Sequence, residues 1–177
     1  MRDTLARTAE ENRTSARRED LQSVTPHLVC AGAAEAMDFY KRAFGAVELM
    51  RLPGRDGRLV HGAIAIGGGR IMLVDEIPEC GALSPRSLKG TPVTVHLYVD
   101  DVDAFVDRAV MAGASLRMPV TDMFWGDRYG VIVDPFGHSW SVATRQRDMT
   151  AEEIQQAMQK MASCSGANAT HKPDHRA

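Results

Sequence analysis

The chain has 177 residues, 44% apolar and 25% charged, with a formal charge of -2; this is the make-up of a globular domain, not of a disordered, collagenous or disulfide-stapled chain. Acids and bases are interleaved, so no basic field exists to attract nucleic acid or an anionic membrane surface, and neither is expected as a partner. No segment approaches the roughly 20 consecutive apolar residues of a membrane span, and Cys30, Cys80 and Cys164, without CxxC spacing or paired histidines, exclude a disulfide framework or zinc finger and suit a cytoplasmic protein.

Residues 1–22 carry Arg2, Arg7, Arg13, Arg17 and Arg18 with no apolar run, which excludes a secretory signal, and Asp3, Glu10, Glu11, Glu19 and Asp20 argue against organelle import. This stretch reads as a disordered tail. The folded part is expected over residues 23–146, opening with a strand, Val24 to Cys30. A helix follows from Ala33 to Phe44, with Ala36, Met37, Tyr40, Ala43 and Phe44 at helical spacing and Gly45 as terminator. Strand-like runs come next at Val47–Leu52, Leu59–Ile66 and Ile71–Val74, the last two joined by a turn at Gly67, Gly68 and Gly69.

The pattern then begins again. Val24-Thr25-Pro26-His27-Leu28 and Val93-Thr94-Val95-His96-Leu97 agree at four of five positions, the self-similarity that marks a duplicated unit. After the second copy, Asp101 caps a helix in which Val102, Phe105, Val106, Ala109 and Val110 recur at three- and four-residue steps, ending at Gly113. Strands are expected at Ser115–Val120, Tyr129–Val133 and His138–Ala143, the last two connected by the tight turn Asp134-Pro135-Phe136-Gly137. The modules span about residues 24–76 and 93–144. Residues 147–162 close the fold with a helix from Thr150, whose capping box with Glu153 precedes an edge-packing face of Ile154, Ala157, Met158 and Met161. Residues 163–177 read as a second disordered tail. The fold class is α+β: two βαβββ modules forming a curved mixed sheet around a cavity, plus a C-terminal helix.

Strand parity sorts side chains between faces. Val24, Leu28 and Cys30 should lie under the first helix, with Thr25, His27 and Val29 opposite. Val93, Val95, Leu97 and Val99 should oppose Thr94, His96 and Tyr98; Val60, Ile64 and Ile66 should oppose His61, Ala63 and Ala65; and Trp140 and Val142 should oppose Ser139, Ser141 and Ala143. Each face away from a helix is small, polar or histidine-bearing, as where a sheet wraps a wet pocket. A solvent-exposed antiparallel sheet shows the same alternation, and it is the repeated histidine, His27 and His96, that favours the pocket. Trp125, Arg128 and Tyr129 add a Gly-flanked segment suited to a planar or anionic ligand, a surface hairpin being the alternative. The three glycines at 67 to 69 precede no helix and are not a phosphate loop.

The chain resembles the glyoxalase, bleomycin-resistance and extradiol-dioxygenase (vicinal-oxygen-chelate) superfamily, and within it the PhnB-like branch. The segments that carry the resemblance are Asp38-Phe39-Tyr40-Lys41-Arg42-Ala43-Phe44-Gly45-Ala46, His61-Gly62-Ala63-Ile64, Ile71-Met72-Leu73-Val74-Asp75-Glu76, Phe124-Trp125-Gly126-Asp127-Arg128-Tyr129-Gly130 and Asp134-Pro135-Phe136-Gly137-His138. The resemblance implies four metal-ligand places, which fall on Thr25, Ala63, Thr94 and Ser141. None offers imidazole, carboxylate or thiolate, so the usual divalent centre is not expected there.

Three functions remain open. The first is a protein that binds or modifies a small polar or aromatic metabolite or drug through His27, His61, His96, Tyr98, Trp125, Arg128 and Ser141, with no metal cofactor at the usual place. The second is a metal-dependent lyase, isomerase or dioxygenase with a divalent ion displaced onto His27 and His96, His61 being shifted the opposite way. The third is a non-catalytic interaction module. In each case the resemblance implies a homodimer.

Overall fold

The computed structural model describes residues 24–166, with side chains through Met161; the tail expected at 1–22, residues 167–177 of the tail expected at 163–177, and the Cys164 side chain lie outside the described residues, while 163–166, expected in that tail, belong to the closing helix. The chain divides between Gly90 and Thr91 into two units, each with its own four-stranded sheet. In the first, strand β1 (His27–Cys30) leads to helix α1 (Ala33–Phe44) and strands β2 (Val47–Pro53), β3 (Leu59–Ile66) and β4 (Gly69–Asp75). A 3-10 turn at Pro78–Cys80 and a one-turn helix α2 (Pro85–Leu88) complete this unit. The second repeats the order with β5 (Thr94–Tyr98), α3 (Val102–Met111), β6 (Ser115–Asp122), β7 (Asp127–Val133) and β8 (Ser139–Arg145), followed by α4 (Ala151–Gly166).

The two sheets have the same topology. The first runs β1-β4-β3-β2 and the second β5-β8-β7-β6. The first strand of each is parallel to the last and the other pairings are antiparallel. A helical crossover is what lets the first strand lie parallel to its neighbour, and in each unit the helix then covers one face of the sheet.

Under α1, Ala36, Met37, Phe39, Tyr40, Ala43 and Phe44 are buried, as are Leu28, Cys30, Ile64 and Leu73 of the sheet. The close approach of α1 requires Gly62, where a Cβ would stand 2.7 Å from Met37 Sδ and 2.8 Å from Leu59 Cδ2. Gly45 ends the helix in the left-handed region at φ 67°. Val24, expected under α1, is 80% exposed, because pairing begins only at His27. Val60 is exposed as well.

Under α3 the buried residues are Val102, Phe105, Val106 and Ala109, against Ile132, Trp140 and Val142. Val110, at the helix end, is exposed. Asp101 caps α3 as expected, its Oδ1 accepting from Ala104 N at 3.0 Å. Both helix N-termini are also tied to the end of a strand. Asp75 Oδ1 accepts from Gly32 N at 3.0 Å and Ala33 N at 2.8 Å; Thr144 Oγ1 accepts from Val102 N at 2.8 Å and donates to Val99 O at 3.0 Å.

The capping box of α4 is present: Glu153 Oε2 accepts from Thr150 N at 2.7 Å and Thr150 Oγ1 from Glu153 N at 3.3 Å. Along its apolar face Ile154 and Ala157 are half-buried, while Met158 and Met161 are exposed.

Candidate functional site

In the second unit Thr94 pairs with Ser139, His96 with Ser141 and Tyr98 with Ala143, and across the next ladder Ala143 pairs with Tyr129. Residues directly opposite one another on neighbouring strands project to the same side. His96, Tyr98, Tyr129, Ser139 and Ser141 therefore share the face turned away from α3. Ser139, Ser141 and Ala143 make a small-residue floor along β8, and the larger rings rise on either side of it.

The rings form a continuous run. His96 meets Tyr98 edge-on at 4.6 Å between centroids and lies nearly parallel to Tyr129 at 6.2 Å and 19°. Trp125 meets Tyr129 edge-on at 5.7 Å, and Phe124 meets Trp125 edge-on at 4.9 Å. All these separations fall in the range of favourable aromatic pairs. Trp125 is placed by the turn that precedes β7: Met123 N donates to Asp127 O at 2.8 Å and Gly126 N to Met123 O at 3.0 Å. Gly126 has φ 94°, its carbonyl accepts from Gln146 N and Arg147 N at 3.0 Å each, and a Cβ there would run into Arg147 O.

His96 Nδ1 lies 2.7 Å from Ser141 Oγ, a buried hydroxyl. Loss of solvent around the ring holds its pKa below the ordinary histidine value, and the Asp127 carboxylate opposes this more weakly. The imidazole is thus neutral at pH 7, and whichever proton arrangement Ser141 imposes at Nδ1 leaves Nε2 with the opposite role toward a ligand.

At the end of the floor, buried Asp127 accepts from Arg145 Nε at 2.6 Å through one oxygen and from the Tyr98 hydroxyl at 3.2 Å through the other. Arg145 Nη2 donates to the same hydroxyl at 2.8 Å, Nη1 donates to Asp148 at 3.2 Å, and the guanidinium carbon sits 5.2 Å from the Tyr98 ring centroid. These hydrogen bonds, the one to Tyr98 foremost, raise the Arg145 pKa further. Beside this group lies a cleft of about 480 Å³ lined by Tyr98, Val99, Asp100, Thr144 and Arg145, large enough for a small metabolite.

Sequence reasoning named His96, Tyr98, Trp125 and Ser141, and the structure gathers them with Tyr129. Arg128 is elsewhere. It follows Tyr129's opposite parity and grips Asp103 of α3 through Nε at 2.6 Å and Nη2 at 2.7 Å, with Asp122 at 3.0 Å from Nη1. Asp127 and Arg145 were missed, although each lies two residues along its strand from Tyr129 or Ala143. The same parity that selects those two would have selected them.

In the first unit, His27 and His61 stand on the face away from α1 with ring centroids 6.4 Å apart. His27 pairs with Met72 in the register in which His96 pairs with Ser141. Of the four ligand places, Ala63 has no donor atom, Thr94 Oγ1 donates to Ser139 Oγ at 3.1 Å, and Ser141 is engaged by His96. This set does not fit a divalent ion, and among the described residues no three His, Cys, Asp or Glu side chains gather. Also among the described residues, no helix is long and apolar enough to cross a membrane.

A duplicated βαβββ unit with this strand order and a histidine on the face away from each helix defines a class. The Glyoxalase/Bleomycin resistance protein/Dioxygenase superfamily matches residues 21–142, and the chain belongs to it. It is 52% identical over 139 residues to the uncharacterized protein Rv0887c of Mycobacterium tuberculosis, covering 77% of this chain and 82% of that one. It is 32% identical over 127 residues to the uncharacterized protein At5g48480 of Arabidopsis thaliana, covering 67% and 75%. Among solved structures, TioX from Micromonospora sp. ML1 superposes with a TM-score of 0.58 at 28% identity, covering 71% of this chain and 99% of that one.

Proposed function

We propose that the second unit binds a small polar or aromatic metabolite or drug on the ring-bearing face of its sheet, without the superfamily's usual four-ligand metal centre. The observation that carries this reading is the unbroken run of rings from Tyr98 through His96 and Tyr129 to Trp125 above a floor of serine and alanine. Such a surface offers planar contact area and a hydroxyl–imidazole pair, Ser141 and His96, able to accept or deliver one proton. If chemistry occurs, His96 Nε2 is the atom that reaches the substrate. The test is a fluorescence titration against a panel of small aromatic compounds, with Trp125→Ala and His96→Ala beside the unmutated protein. Saturable quenching lost in both variants supports the reading; no binding at millimolar concentration sinks it.

A second reading is a metal-assisted lyase, isomerase or dioxygenase in which His27 and His96 supply ligands to a divalent ion. Elemental analysis of the purified protein decides it, stoichiometric metal that is lost in His27→Ala being the supporting result. We further place the chain in the PhnB-like branch, on the Asp38–Ala46 and Asp134–His138 segments, and in a reducing cytoplasm, which the exposed thiol of Cys80 suits. We also propose a homodimer. Val47, Leu49, Met50 and Leu52 are exposed on β2, an edge strand, and edges of this kind favour a partner. Sedimentation showing only monomer at micromolar concentration would contradict it.

A further inference from the structure

We infer that the ligand of the ring-bearing face is a planar aromatic cation, a class that deepens the proposed function and rests on it. Three observations lead there. First, the arginines within β7 and β8 are already neutralised. Arg145 is held by Asp127 and Asp148, and Arg128 by Asp103 and Asp122. Neither offers an anion the free, forked guanidinium that carboxylate or phosphate recognition uses.

Second, the surroundings are acidic. From Thr91 to Gly166 the sequence holds ten Asp and Glu against six Lys and Arg. Asp100, in the wall of the 480 Å³ cleft, is exposed and engaged by no side chain, so its charge faces an incoming ligand. Third, the ring-bearing face beside that cleft offers π surfaces, Tyr98 being the ring that lines the cleft itself, next to the paired Arg145. Tyr98 already carries the Arg145 guanidinium at 5.2 Å, which shows what its ring attracts, and Tyr129 and Trp125 extend the same surface. An electron-rich ring face draws a cation and repels an anion, and neighbouring carboxylates add to both effects. The cleft volume suits a ligand of two or three fused rings.

Three bicyclic probes of matched size separate charge from shape: N-methylquinolinium (cation), 2-naphthol (neutral) and 2-naphthoate (anion), titrated against the full chain by fluorescence at low ionic strength. N-methylquinolinium should bind about tenfold more tightly than 2-naphthoate, with 2-naphthol between them, and added salt should narrow the gap. Asp100→Asn, an exposed substitution with no structural partner to lose, should weaken N-methylquinolinium by about threefold and leave 2-naphthol unchanged. If 2-naphthoate binds as tightly as the cation, the charge inference is overturned while the planar-ligand reading stands. If none of the three binds at millimolar concentration, both fall.

Discussion

Two buried aspartates of the second unit, Asp127 on β7 and Asp134 in the turn that follows it, should differ sharply in what their removal costs. Asp134 has a side chain wholly shielded from solvent. Its Oδ1 accepts from Phe136 N and His138 N, each at 2.9 Å, and its Oδ2 from Trp140 Nε1 at 2.8 Å. Trp140 is itself fully buried. Asp134→Ala strands three donors that water does not reach, each at roughly 1–3 kcal/mol, so a total of about 4 kcal/mol is expected. Asp127→Ala is the control. Its partner Arg145 is half exposed and turns to water or Asp148, and the Tyr98 hydroxyl keeps Arg145 Nη2, so about 1.5 kcal/mol is expected. Urea unfolding followed by far-UV circular dichroism measures both, provided the slope m is unchanged. In a chain of this size the difference corresponds to roughly 5–10 °C in Tm. Equal costs for the two variants, or less than about 1 kcal/mol for Asp134→Ala, would refute the argument that donor burial sets the scale.

Three further predictions concern pH and backbone. Hydrogen bonds from Arg51 and then Lys41 hold Glu48 down to about 2. The folded state thus releases this proton more readily, and the resulting stability is complete above the ordinary pKa of 4.5 and is lost as pH falls toward 2. With Glu48 29% exposed, Glu48→Gln should cost about 1 kcal/mol at pH 7 after screening and nothing near pH 2, measured by urea midpoints. The lowered pKa of His96 acts in the same direction: below its ordinary value of 6.5 the unfolded chain takes up the proton first, so stability declines with falling pH. His96→Asn should flatten that decline below the ordinary value of 6.5, and an unchanged slope would place the shift elsewhere. Gly126→Ala should cost about 3 kcal/mol, from left-handed strain and displacement of the Arg147 carbonyl with loss of two hydrogen bonds, and should alter the near-UV signal of Trp125. Wild-type stability would show that the turn can relax.

The strands and helices were legible because apolar periodicity changes from 3.6 to 2 at each boundary, and because Thr150, Asp101 and Gly45 announce helix ends by local chemistry. Side-chain partners were legible only where parity was applied. Trp125, Arg128 and Tyr129 were grouped by adjacency, yet Arg128 and Tyr129 are successive residues of β7 and must point to opposite faces. That is why Arg128 reaches Asp103 on α3 and not the rings. The meeting of His27 with His61 was illegible for another reason. It depends on β4 lying between β1 and β3, and strand order is a property of the sheet, not of any one segment. Ion pairing was hidden in the same way, since the Asp127–Arg145 contact joins residues 18 apart across a ladder.

The register of the two units explains why the second, and not the first, carries the ring-bearing surface. His27 opposes Met72 and Val29 opposes Val74, where His96 opposes Ser141 and Tyr98 opposes Ala143. Methionine and valine form the floor in one copy; small, buried serine and alanine form it in the other and give the imidazole a hydroxyl to bond. Ser141→Met should therefore convert the second floor to the first. The thioether has no donor for His96 Nδ1 and occupies the space over β8 between His96 and Val131, the pairing neighbours of residue 141. Because Ser141 is buried, the added volume should cost about 1–3 kcal/mol in stability. Binding of 2-naphthol should fall by more than tenfold, since a planar molecule must lie on that floor to touch Tyr98 and Tyr129 together. Retained binding alongside a displaced His96 would mean that the floor is not where the ligand rests.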